Sequence, residues 1–127
     1  MKTCNRLHPP ILVLVSLCLF TFQGLSESKT DCKDALSTAE MHRCSNQLYR
    51  EADAELNRVY QQLTTQLSNV RRAKLRAAQR AWILFRDKNS AFVASKVEDG
   101  TMYPILEIME LTTLTKQRTE QLKAYLE

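Results

Sequence analysis

Beyond residue 37 the apolar positions recur at helical intervals. Met41, Cys44, Leu48, Ala52, Leu56, Val59, Leu63 and Leu67 follow one another at steps of three or four residues, the repeat of a helix that buries one face. A half-buried strand would alternate, and no such alternation occurs here. Leu75, Ala78, Trp82, Phe85, Asn89 and Phe92 form a second stripe with one polar member. Ile105, Ile108, Leu111, Thr115, Arg118, Leu122 and Tyr125 form a third. The pattern predicts an all-α chain, a small bundle of three main helices over about 37–68, 70–97 and 104–126.

The ends of these segments carry helix punctuation. Ser37-Thr38-Ala39-Glu40 is a capping box: the serine oxygen can accept from the Glu40 amide while the Glu40 carboxylate reaches back to the Ser37 amide. Ser68-Asn69 is the one break the pattern offers between the first two stripes, and both residues suit a turn or an N-cap. A single continuous helix is the alternative, though it could not bury both stripes against each other. If the chain turns there, Asp53 faces Arg86, Glu51 faces Lys88 and Leu56 comes level with Ile83. Glu98-Asp99-Gly100-Thr101-Met102-Tyr103-Pro104 reads as a loop, with Gly100 free to take a positive φ and Pro104 suited to the first turn of the next helix.

The first 26 residues are different in kind. Lys2 and Arg6 precede an apolar run from Ile11 to Phe22, and small residues follow at Gly24, Ser26 and Ser28. This is the layout of a secretory signal, cut after Ser26, with residues 27–127 as the mature domain. The run covers roughly 18 Å as a helix, too short for a hydrocarbon core of about 30 Å, so no membrane span is expected once it is cleaved. Leu17 before Cys18 is too large for lipoprotein processing; an uncleaved anchor is the other reading. The chain is therefore expected in the periplasm or secreted.

Export changes the chemistry that remains. Formal charge falls from +4 for the whole chain to +2, because Lys2 and Arg6 leave with the signal. Cys4 and Cys18 leave too, and the remaining Cys32 and Cys44 are most simply a disulfide in an oxidising compartment. Closing that short loop is worth about 3 kcal/mol on the chain-entropy model. A metal site is not expected, since only His42 accompanies Cys44 and no acidic cluster completes a ligand set. Gly-rich phosphate cradles are excluded by two glycines in the chain, and no cofactor is expected. A cysteine nucleophile needs a free thiol, and Glu51 and Glu55 are expected to pair with cations of the second helix, so the chain reads as a non-enzyme.

Particular strings are familiar. Asp31-Cys32, Ser37 through Met41, Cys44, Tyr49, Ala52-Asp53, Glu55-Leu56-Asn57 and Tyr60 resemble the first half of the lysozyme-inhibitor LprI family domain. Gln79-Arg80-Ala81-Trp82-Ile83 with Phe85-Arg86-Asp87 resembles its signature helix, here read as structural. Gly100-Thr101-Met102-Tyr103-Pro104 is similar to its Gly-Ser-Met-x-Pro loop, and Leu111-x-x-Leu114-Thr115 with Arg118 and Leu122 to its closing helix. The resemblance runs over roughly 31–126. The family's second cysteine pair is absent: Ser90 and Glu110 stand in those positions, which predicts a looser clamp between helices two and three.

The resemblance implies a small exported binding protein whose partner is a lysozyme or another cell-wall hydrolase, blocked by occlusion of its glycan cleft. Lysozymes are generally basic, so an inhibitor gains from local acid, and the loop Glu98, Asp99, Gly100, Thr101, Met102 and Tyr103 is the candidate contact. Its plain alternative is a helix connector. Arg72, Arg76 and Arg80 share a helix face and form a candidate basic surface for an acidic envelope polymer, in an envelope-maintenance role. Nucleic acid is not an expected partner of an exported chain. A third reading is a periplasmic immunity protein against a delivered toxin. Trp82, with Phe85 and Phe92, is expected to anchor the core.

Overall fold

The computed structural model describes Cys32 and residues 35–126; the expected signal, residues 1–26, lies outside the described residues. Three helices follow in order: α1 over Thr38–Gln66, α2 over Asn69–Ala94 and α3 over Tyr103–Lys123. One turn of 3-10 helix, Ser95–Val97, extends α2. The all-α expectation is met, with each helix slightly shorter than the span predicted for it.

The punctuation acts where the sequence puts it. Ser37 Oγ accepts from the Glu40 amide at 3.2 Å, and Glu40 Oε2 accepts from the Ser37 amide at 2.9 Å. Those hydrogen bonds hold the Glu40 carboxyl below its usual range. Ser68 caps α2, its side chain accepting from the Arg71 amide, and the extended Leu67 separates α1 from α2. Cys32 and Cys44 form the disulfide, Cα atoms 5.5 Å apart, which ties the leading segment to the second turn of α1.

Packing does not follow chain order. α1 and α2 both lie against α3 more than against each other. α1 and α3 run the same way, so Leu48 lies level with Lys116 and Glu55 with Lys123. The core is Leu56, Val59 and Leu63 of α1 with Leu122 of α3, and Tyr60, Leu67, Leu75, Trp82 and Leu126 pack around it. Along the rest of α3 the buried residues are Ile105, Thr112, Thr115 and Thr119. Thr112 and Thr119 return their hydroxyls to the carbonyls of Ile108 and Thr115, leaving a narrow surface on which another helix can sit close.

Two of the predicted stripes are displaced. On α2 the buried residues are Arg86, Ser90 and Ala94, while Phe85 is 55% and Phe92 73% exposed. Those two aromatics are therefore not core anchors. Trp82 alone of the three lies against the core, half-buried. Tyr125 falls past the end of α3 and is exposed, and on α3 Thr112 and Thr119 take part in the buried face instead. The physical reason is the same in both cases. Where helices approach closely, small side chains occupy the seam and large apolar ones are turned outward.

Candidate functional site

The signature residues of α2 connect the helices. Arg86 is almost buried and gives Nε to Asp87 Oδ1 at 2.9 Å, with Nη2 at 2.8 Å from the same oxygen. Its Nη1 lies 3.9 Å from Asp53 Oδ1 of α1. The guanidinium carbon stands 5.2 Å from the centroid of Trp82 and 5.8 Å from that of Tyr49, within cation–π range of both. Burial pushes the Tyr49 hydroxyl above the usual phenol range, although Arg86 pulls it the other way. On the α3 side, Arg118 Nε donates to Gln79 Oε1 at 3.1 Å, and its guanidinium lies 5.9 Å from the Trp82 ring. Gln79, Trp82 and Arg86 are thus a three-helix junction. Phe85 takes no part in it and Arg80 is exposed.

The expected facing of Asp53 and Arg86 across the first two helices is present; that of Glu51 and Lys88 is not. Glu51 instead accepts from Gln47 Nε2, one turn earlier on α1. Leu56 and Ile83 do face one another, across a cleft of about 260 Å³ between the two helices. Asp53, Leu56, Asn57 and Tyr60 line one side of it; Arg76, Gln79, Arg80, Trp82, Ile83 and Arg86 line the other.

The basic run divides in two at this cleft. Arg72 bends back to α1, donating from Nε to the Thr64 carbonyl at 3.0 Å and from Nη2 to the Leu67 carbonyl at 3.1 Å. α1 has no basic residue in its own last turn, so this arginine satisfies the terminal carbonyls and meets the negative end of the helix dipole. Arg72 is therefore a cap rather than part of an open basic face. Arg76 and Arg80 remain exposed at the cleft. Spacing put the three on one stripe, but only the position of the α1 terminus separates their roles.

The loop between α2 and α3 is wound from successive turns. Glu98 N donates to Ser95 O, Gly100 N to Val97 O at 2.9 Å and Tyr103 N to Gly100 O at 3.0 Å. Glu98, Asp99, Gly100 and Thr101 are exposed, but Met102 and Tyr103 are partly buried, Tyr103 being the first residue of α3. The positive φ falls on Asp99, at 65°, and not on Gly100. Gly100 is needed for closeness: a Cβ there would lie 3.0 Å from the Val97 carbonyl oxygen. Just inside the loop, Asn89 Nδ2 donates to Glu110 Oε1 at 3.0 Å. A polar bridge between α2 and α3 thus stands beside Ser90, which is itself buried and bonds to the Arg86 carbonyl.

Among the described residues no three His, Cys, Asp or Glu side chains are grouped to hold a metal, and no helix is long and apolar enough to cross a membrane. Fold and junction together define a small disulfide-stapled helical domain of three helices, with α3 as the common packing partner. The family model described as lysozyme inhibitor LprI matches residues 30–122, and the chain belongs to that family. It is 33% identical to an uncharacterized protein of Rhizobium meliloti (strain 1021), over 96% of each chain. No solved structure matches.

Proposed function

We propose that this protein works outside the cytosol, in the periplasm or secreted, as a non-enzymatic lysozyme inhibitor-like protein that occludes a glycan-hydrolase cleft by direct contact. The observation that carries the reading is the family match across residues 30–122, which takes in Cys32, Cys44, α1, α2 and all but the last residue of α3. The Cys32–Cys44 disulfide suits an oxidising compartment and consumes the thiol that a cysteine nucleophile would need.

For the contact surface we favour the turn Glu98–Tyr103. Its backbone is already ordered by the hydrogen bonds of Glu98, Gly100 and Tyr103, so binding would lose little conformational freedom. Glu98 and Asp99 present negative charge to a basic partner, and Thr101 adds a hydroxyl for a carboxylate in the partner's cleft. Tyr103 contributes only its exposed edge.

The test is protection of cell walls from lysis by chicken-, invertebrate- and goose-type lysozymes, using the disulfide-intact mature chain. Inhibition of at least one class is expected. Glu98→Lys with Asp99→Lys should weaken it by about tenfold or more, since opposed like charges at an interface cost several kcal/mol. Failure to inhibit any class at high micromolar protein overturns the function. Full inhibition by the double variant removes the turn from the contact.

A further inference from the structure

We propose that the cleft between α1 and α2 binds an acidic sugar, a single ring bearing a carboxylate or phosphate, with Arg76 and Arg80 holding the anion. The inference uses residues apart from the 98–103 turn and stands whether or not a lysozyme is the partner.

Charge is the first argument. From Leu67 to Arg86 the chain carries Arg71, Arg72, Lys74, Arg76, Arg80 and Arg86 and no acid. Two of these arginines are committed: Arg72 to the carbonyls of Thr64 and Leu67, Arg86 to Asp87 and Asp53. Arg76 and Arg80, one helical turn apart on the cleft wall, have no ion-pair partner among the described residues. Paired guanidinium groups at that spacing can grip one oxyanion from two directions.

The remaining walls select what carries the anion. Ile83, 39% exposed over the buried Leu56, gives an apolar surface, which suits the C–H face of a sugar ring. Trp82 offers no open stacking platform, because Arg86 and Arg118 lie 5.2 Å and 5.9 Å from its centroid. A nucleic-acid base would need that platform. Asp53 also lines the cleft, held by Asn57 Nδ2 at 2.9 Å and facing Arg86. Its carboxylate repels a second anion but accepts from hydroxyl groups. An acidic peptide supplies carboxylates and few hydroxyls, whereas an acidic sugar supplies both. At about 260 Å³ the space falls below the roughly 300–1,000 Å³ of drug-sized sites and suits one ring rather than a threaded chain.

Calorimetric titration of the disulfide-intact mature chain tests this with four probes: N-acetylmuramic acid, glucose 1-phosphate, neutral N-acetylglucosamine and tetraglutamate. At least one of the two anionic sugars should bind with a Kd of about 0.1–1 mM, and the neutral sugar about tenfold more weakly. Arg76→Gln with Arg80→Gln should cost about tenfold, and Arg80→Gln alone several-fold, with circular dichroism unchanged because both side chains are exposed. Lys74→Gln, outside the cleft, should change affinity less than about twofold. The proposal is overturned if neither anionic sugar approaches saturation by about 10 mM, or if the double variant binds as tightly as the parent. Equal binding of tetraglutamate also overturns it, in favour of an acidic-protein contact.

Discussion

The two sides of α1 are built differently. Toward α3 it meets Thr119 and Leu122, and the two parallel helices pack closely on one another. Toward α2 it meets a cleft, crossed by the Arg86 guanidinium on its way to Asp53 and Tyr49. The chain joins α1 to α2 by a short turn, yet its tight seam is with the helix that comes last. Connectivity therefore places α2 near α1 without packing it there. The gap left between them is where unpaired basic side chains can stand beside apolar ones. The buried face of α3 has its own irregularity: Thr115 Oγ1 has no hydrogen-bond partner among the described residues, while Thr112 and Thr119 bond to the preceding turn.

The sharpest way to break this contrast is to truncate one large side chain on each kind of surface. Leu122 is fully buried against Leu56, Val59 and Leu63, and Leu122→Ala should destabilise the domain by about 3 kcal/mol through lost burial and the cavity left behind. Phe92→Ala removes a larger side chain but one 73% exposed, and should change stability by no more than about 0.5 kcal/mol. Urea denaturation of the two variants decides it. Equal losses would mean that the outer face of α2 is covered in solution and that the core is wrongly drawn.

A smaller effect is expected across the gap. Arg86→Gln removes the donors to Asp87 and the cation–π contacts with Trp82 and Tyr49, while Asp53 and Asp87 stay 42% and 52% exposed and can be hydrated. Water then takes up most of the stranded charge, so the loss should be about 2 kcal/mol rather than that of a fully buried broken pair. The Tyr49 hydroxyl, no longer facing a cation, should titrate still higher, which ultraviolet difference spectra can follow. An unchanged denaturation midpoint would show that Arg86 is not what bridges the gap.

How far these features could be read in advance depends on what kind of interaction made them. The α1 stripe was legible from Cys44 to Leu63 because apolar burial is what orders that face; only Leu48, at 41%, is exposed within it. Both N-caps and the α1–α2 turn were legible because capping is local. The buried face of α2 was not. Periodicity marks Phe85 and Phe92 as the apolar side, whereas close approach of α3 selects Ser90 and Ala94. The same holds for the threonines of α3, whose hydroxyls disappear into their own helix. At the candidate site, the basic stripe was visible but its division was not. Arg72 differs from Arg76 only by the carbonyls within its reach, and those depend on where α1 ends. The cleft itself follows from how loosely α1 and α2 meet, which no stripe encodes.

The finest test of the seam is electrostatic and lies at its edge. Glu55 on α1 accepts from Arg58 at 2.7 Å and faces Lys123 of α3 at 3.4 Å. Arg58 first, then Lys123, hold its carboxyl down to about 2, against an ordinary value of 4.5. A carboxyl lowered on folding stabilises the folded state above the ordinary value, and that contribution fades as pH falls from 4.5 toward about 2. The parent should therefore exceed Glu55→Gln in denaturation midpoint at neutral pH, by a small margin because the pair is exposed to solvent and screened. The margin should close through that acid window. Lys123→Gln keeps the Arg58 partner within α1 and should close only part of it. If Lys123→Gln behaves as the parent at every pH, the ion pair does not join α1 to α3, and the seam is held by its threonines and Leu122 alone.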